Sequence, residues 1–169
     1  MFQKGELVIY GNNGICRIDE IGVPNLPMAA SGALYYTLTP LFSSGVIYTP
    51  VDTKIFMRPI LTKTQAEQLI DQIPEIQEES ISIQDTRILI EKYKGILNTH
   101  QCEDLIRLIK TIYTKEKLMQ EKGKKLAKTE QDYSKLAKEL LHREFSLALD
   151  IPYEEISNYI TERIEKRAK

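Results

Sequence analysis

Leu105-Ile-Arg-Leu-Ile-Lys-Thr-Ile-Tyr-Thr-Lys-Glu-Lys-Leu-Met-Gln-Glu-Lys-Gly-Lys-Lys-Leu-Ala-Lys128 turns from apolar to basic along its length, and its first half decides the fold. Leu105, Leu108, Ile109 and Ile112 recur at helical spacing, while Ile106 and Tyr113 widen the stripe until more than one side of the helix must be covered. Such a helix belongs at the centre of a helical domain. It is expected to run from near Gln101 to about Lys122, with Gly123 marking its end. Past Tyr113 come Lys115, Lys117, Lys122, Lys124, Lys125 and Lys128, opposed by Glu116 and Glu121.

The stretch carries eight Lys or Arg against two Glu, a local balance of +6 in a chain of net charge −1, which leaves the remaining residues at −7. A basic elbow on an otherwise acidic protein attracts polyanions locally without making the whole surface adhesive. Charge alone does not decide its use. A solvated helix end, whose lysines complement the C-terminal dipole, accounts for these residues more simply than a phosphate-binding surface does.

The 169 residues allow one domain or two small ones, and 42% hydrophobic content supports a packed core. Apolar runs fall short of a membrane span and Met1-Phe-Gln-Lys-Gly-Glu6 lacks a signal-peptide core, so a cytoplasmic protein without membrane contact is expected. Residues 1–60 read as strands. Leu7–Tyr10 and Ile15–Ile21 flank Gly11-Asn-Asn-Gly14, a hairpin turn in type, with Val8, Tyr10, Ile15 and Ile18 as core candidates. After a Gly- and Pro-containing loop over 22–32, Ala33–Thr39 and Gly45–Thr49 read as strands, and a short one is expected through Ile55–Met57. Four or five short strands in sixty residues imply a strongly bent sheet of the Tudor or SH3 kind. Its charges are balanced, which makes it a poor candidate for nucleic acid.

From residue 61 to 169 the period changes and helices take over. A short helix over Thr64–Ile73 ends before Pro74, and Glu75–Ser80 is an acidic connector. Asp85 caps a helix with Leu89, Ile90, Tyr93, Ile96 and Leu97 on one face and Arg87, Glu91, Lys92 and Lys94 on the other. Beyond the central helix, Thr129 is expected to cap a long helix whose stripe is Tyr133, Leu136, Ala137, Leu140, Leu141 and Ala148; Pro152 opens a last one through Ile156, Tyr159, Ile160 and Ile164. The fold class is therefore α+β: a small Tudor/SH3-like module over 1–60 followed by a compact all-helical domain of about five helices over 61–169.

Catalytic chemistry has little to work with. Neither His100 nor His142 stands near a nucleophile pattern, Gly123-Lys-Lys125 lacks the first Gly and the Ser or Thr of a phosphate loop, and Cys16 and Cys102 lack metal-ligand spacing. No enzyme, catalytic residue, metal or cofactor is expected.

Lys4-Gly5-Glu6-x-Val8-x-Tyr10-x-x-x-Gly14-Ile15 opening a small β module, with Glu103–Tyr113 and Gly123-Lys-Lys-Leu126 in a helical domain, resembles the CarD/CdnL transcription regulators of bacteria. Phe145–Leu149 with Ile151-Pro152 looks like that family's C-terminal helices, so the resemblance extends over nearly the whole chain. It implies a monomeric adaptor that modulates open-complex stability. The β module would hold the RNA polymerase β subunit by edge-strand addition, with Tyr36, Ile47, Tyr48 and Thr49 supplying fit. The helical domain would lie on duplex promoter DNA, weakly and with little sequence readout, through Thr86, Arg87, Lys92, Lys94, Lys122, Lys124, Lys125 and Lys128. Well-known members carry a tryptophan wedge where Thr86 and Arg87 stand here, and this chain has no Trp. Tethering is then the expected mode of action. The alternative from another class is a protein-only adaptor that never touches DNA.

Overall fold

The computed structural model describes residues 1–27, 29, 32–80 and 82–169. The chain divides into two compact units, Met1–Ile60 and Leu61–Lys169.

The first unit is a five-stranded antiparallel sheet of β1 (Leu7–Tyr10), β2 (Ile15–Gly22), β3 (Tyr35–Pro40), β4 (Ile47–Pro50) and β5 (Met57–Pro59), in the order β4-β3-β2-β1-β5. Alternation puts Val8, Tyr10, Cys16, Ile18, Tyr36 and Leu38 together as one buried cluster. Ile15 is buried as expected, but it pairs with Ile9 on the opposite face. A register shift between Ile18 and Glu20 bends β2, which lets so short a sheet curl over its core. The turn at Gly11–Asn13 is a single turn of 3-10 helix, closed where the Tyr10 N–H donates to the Gly14 carbonyl at 3.0 Å. Gly45 lies at φ +102°, outside strand geometry, so β4 begins at Ile47 and not at Gly45. The fifth strand sits two residues later than the sequence suggests, because Tyr10 pairs with Met57.

The second unit contains α1 (Lys63–Gln72), α2 (Thr86–Leu97), α3 (Cys102–Glu121), α4 (Lys128–Leu149) and α5 (Tyr153–Ala168). Thr62 and Gln65 form a reciprocal capping box on α1, and Asp85 accepts from the N–H groups of Arg87 and Ile88 to start α2. α3 packs on α2 and α4, while α4 packs on α1, α3 and α5, so the helix expected at the centre of the unit shares that place with α4. Leu105, Ile106, Leu108 and Ile112 are all buried. Gly123 takes φ +70° directly after α3, the left-handed conformation that ends helices cheaply.

Three helical expectations are corrected. Tyr113 is 53% exposed and carries the Lys117 ammonium 4.9 Å from its ring centroid, so the apolar stripe of α3 is narrower than its sequence suggests. Leu136 is 41% exposed, because α4 turns the line Ala137, Leu141, Phe145 and Leu149 inward, one residue round. Thr129 does not cap α4. The helix starts at Lys128 with no side-chain cap, set instead by burial of Leu126 and Glu130 on either side of its first residues.

Candidate functional site

The lysines of the elbow do different jobs according to what lies opposite them. Arg107 pairs with Asp104 and Glu103 and donates to the Gln77 carbonyl. The Lys110 ammonium donates to the carbonyls of Ile73 at 2.7 Å and Ile76 at 2.6 Å, where the chain leaves α1. Lys115 donates to Glu130 at 2.6 Å. These three hold the fold together. Lys122, Lys124, Lys125 and Lys128 are exposed, and no ion pair among the described residues engages them. The free basic surface is thus a four-lysine turn around Gly123, smaller than the charge count implies.

On α2, Thr86 and Arg87 are exposed at the first turn. Lys92 pairs with Glu79 at 3.2 Å and Lys94 with Glu91 at 3.7 Å, both in solvent. Exposed pairs of this kind hold by less than about 1 kcal/mol, so either lysine can exchange its carboxylate for another anion.

Sequence reasoning missed what lies between α2 and the elbow. Glu130 is 6% exposed and its Oε1 accepts both the Tyr93 hydroxyl, at 2.8 Å, and the Lys115 ammonium. Burial, then the bond to Glu130, pushes the Tyr93 phenol well above its ordinary pKa, so it stays a donor. A signal was present: Glu130 stands seven residues before Ala137 on the inward line of α4, where a carboxylate must find partners. Glu144, seven beyond Ala137, is also buried, and accepts from the Leu61 N–H at 2.9 Å and the Cys102 thiol at 3.3 Å. Beside the Glu130 cluster a cleft of about 520 Å³ opens between α2, the end of α3 and the start of α4, with Leu89, Leu118 and Met119 on its walls and Thr86, Lys122 and Glu130 at its polar positions.

In the sheet unit β4 is an edge strand, paired with β3 on one side. The Val51 N–H donates to the Leu34 carbonyl, which makes 34 and 51 a hydrogen-bonded pair; by alternation Tyr36 with Thr49 and Leu38 with Ile47 are hydrogen-bonded too. The main-chain groups of Tyr48 therefore point away from β3. Pro50, which has no N–H, falls in the same outward set, where none is needed. The side chains divide likewise. Tyr36 and Thr49 are each 2% exposed: the Tyr36 hydroxyl accepts from the Phe2 N–H, and the Thr49 hydroxyl accepts from Tyr10. They shape the strand from inside. Ile47 is half-buried, whereas Tyr48 is 46% exposed, and Val46 just before it is exposed as well.

No cluster of His, Cys, Asp and Glu able to hold a metal occurs among the described residues, and no described helix is long and apolar enough to cross a membrane. No curated protein matches the chain. Residues 2–61 match the family model of the CarD-like/TRCF RID domain, over the whole five-stranded sheet. That domain supports an RNA-polymerase-interacting, transcription-related role. The N-terminal unit is thus similar to the CarD-like/TRCF RID domain.

Proposed function

We propose that this protein is a polymerase-tethered transcription regulator: the sheet unit binds the polymerase β subunit by strand addition at β4, and the helical unit contacts promoter DNA and alters open-complex lifetime. The observation that carries the reading is the family match over residues 2–61, joined to an edge strand that offers the outward main-chain groups of Tyr48. Main-chain bonds would supply affinity, and Tyr48 and Ile47 fit. The four-lysine turn with Arg87 at the α2 start supports the DNA half, as a surface that meets phosphates with slight sequence readout. Lys92 and Lys94 would join it by exchanging their carboxylates.

The test of the first half uses two substitutions at one residue in the full chain. Tyr48→Pro removes the outward N–H without touching the β3 ladder, and Tyr48→Ala removes only the side chain. Retention of a purified β lobe should be lost with Tyr48→Pro and weakened with Tyr48→Ala; unchanged retention by Tyr48→Pro refutes edge addition. For the second half, replacing Lys124 and Lys125 by Glu should weaken binding to all duplexes alike and flatten the log–log salt slope by about 0.9 for each phosphate no longer neutralised. An unchanged slope leaves the protein-only adaptor, which the engagement of Arg107, Lys110 and Lys115 inside the fold favours.

A further inference from the structure

The cleft beside Thr86 has the make-up of a site for one flat, anionic ligand. Its walls are aliphatic: Leu89 from α2, with Leu118 and Met119 from the last turns of α3. Thr86, Lys122, Thr129 and Glu130 supply polar groups to the lining, with Lys115 there held by Glu130. At about 520 Å³ it falls in the range of sites that enclose small ligands, and is far too small for a helix or a folded segment. Leu118 is 54% exposed although it lines this space, an aliphatic side chain left half in water at the mouth of a cleft.

We infer that this cleft takes a single unpaired nucleotide from a DNA strand, with its base between the aliphatic walls and its phosphate on Lys122. This rests on the DNA-contacting half of the proposed function and deepens it. The charge pattern chooses the occupant. Lys115 and Lys122 both line the cleft, but Lys115 is held by Glu130, which leaves Lys122 to meet a free mononucleotide, whereas Lys124, Lys125 and Lys128 follow it in the turn with no carboxylate among the described residues pairing with them, as a neighbouring run of phosphates requires. The Glu130 carboxylate suits a base edge that donates through an amino group, and Thr86 can serve either kind of edge. An aliphatic slot accepts any base by its flat face, so the site would read that a nucleotide is unpaired without reading which one it is. The geometry inverts a side-chain wedge: the strand supplies the inserted group and the protein the slot.

The experiment compares the full chain on a fully paired duplex, on the same duplex with one unpaired 2-aminopurine, and on the mononucleotide alone. Extracting a base costs least when it is already unpaired, so the unpaired duplex should bind about tenfold tighter than the paired one, with a change in 2-aminopurine emission on binding. Leu118→Glu, at a half-exposed position that the core does not need, and Ala127→Phe, which fills the slot, should each bring that ratio to about one. Replacing Lys124 and Lys125 by Glu should weaken both duplexes and keep the ratio. Equal binding of the two duplexes by the native chain overturns the cleft assignment while leaving the DNA reading intact. Binding of neither duplex at low salt overturns both, and saturation by the mononucleotide at concentrations matching the unpaired duplex overturns the choice of a strand as its source.

Discussion

Removing the Glu130 carboxylate should destabilise the helical unit through Tyr93 more than through Lys115. Tyr93 is fully buried and donates its hydroxyl to Glu130, whereas the Lys115 side chain is 30% exposed and can turn its ammonium to water. Glu130→Ala leaves the phenol without an acceptor, at about 2 kcal/mol, and the half-wet ion pair adds about 1, short of the 3–5 that breaking a fully buried pair costs. Glu130→Gln keeps an acceptor for Tyr93 and should cost only about 1 kcal/mol. Tyr93→Phe should likewise cost about 1 in the native background, but nothing in the Glu130→Ala background, where it removes the orphaned donor. Urea unfolding followed by circular dichroism at the helical band reads this unit selectively, since every described α-helix lies beyond residue 61. Equal losses for the Ala and Gln variants, or a Tyr93→Phe cost that is the same in both backgrounds, would refute the assignment.

Lys110→Met should lower stability by about 2 kcal/mol, because two charge-assisted bonds to the Ile73 and Ile76 carbonyls go, and should leave the salt slope of any DNA binding unchanged. Asp71 receives Arg163 at 2.7 Å and 3.0 Å, with Arg167 beside it, and these guanidiniums hold its carboxyl below the usual range. A depressed folded pKa contributes stability that is present above the unfolded value near about 4 and fades as pH falls through the folded value. The gap between native and Asp71→Asn, about 1 kcal/mol at neutral pH, should therefore close on acidification, as thermal melts from pH 7 to pH 2 would read. Burial lifts the Cys16 thiol to about 11, and the thiol is wholly enclosed, so alkylation at pH 8 followed by mass spectrometry should label it only after unfolding.

The α+β class was legible because the apolar period changes from two to about 3.6 between the halves, and α3 was legible because Leu105, Leu108 and Ile112 leave little choice. Tyr113 failed for a reason within the same rule: a stripe does not say where its partners end, and a tyrosine paired with Lys117 is satisfied in water. Thr129 failed because capping propensity is about 1 kcal/mol, and the burial of Leu126 and Glu130 outweighs it. On the site, alternation alone separates Tyr48 from Tyr36 and Thr49, but only the register says which of these faces the core. The lysines were the least legible. A charge count cannot tell Lys110, which answers two carbonyls, from Lys124, whose exposed ammonium pairs with no carboxylate among the described residues.

That difference makes the turn itself a test of purpose. Lys122, Lys124, Lys125 and Lys128 crowd four like charges into seven residues while carboxylates elsewhere in the unit pair with other cations. Like charges at this spacing repel by a few tenths of a kcal/mol each, which a surface serving only solubility would shed by alternating signs. If the turn is kept basic for an anion, charge reversal should separate stability from binding. Lys125→Glu should raise the unfolding free energy by about 0.3 kcal/mol at low salt, with the gain vanishing at high salt as screening removes the repulsion, while duplex binding weakens. Denaturant titrations and DNA titrations at two ionic strengths supply both readings from one variant. A variant that loses stability and binding together would show that Lys125 supports the fold, and the free lysine turn would then lose its standing as a phosphate surface.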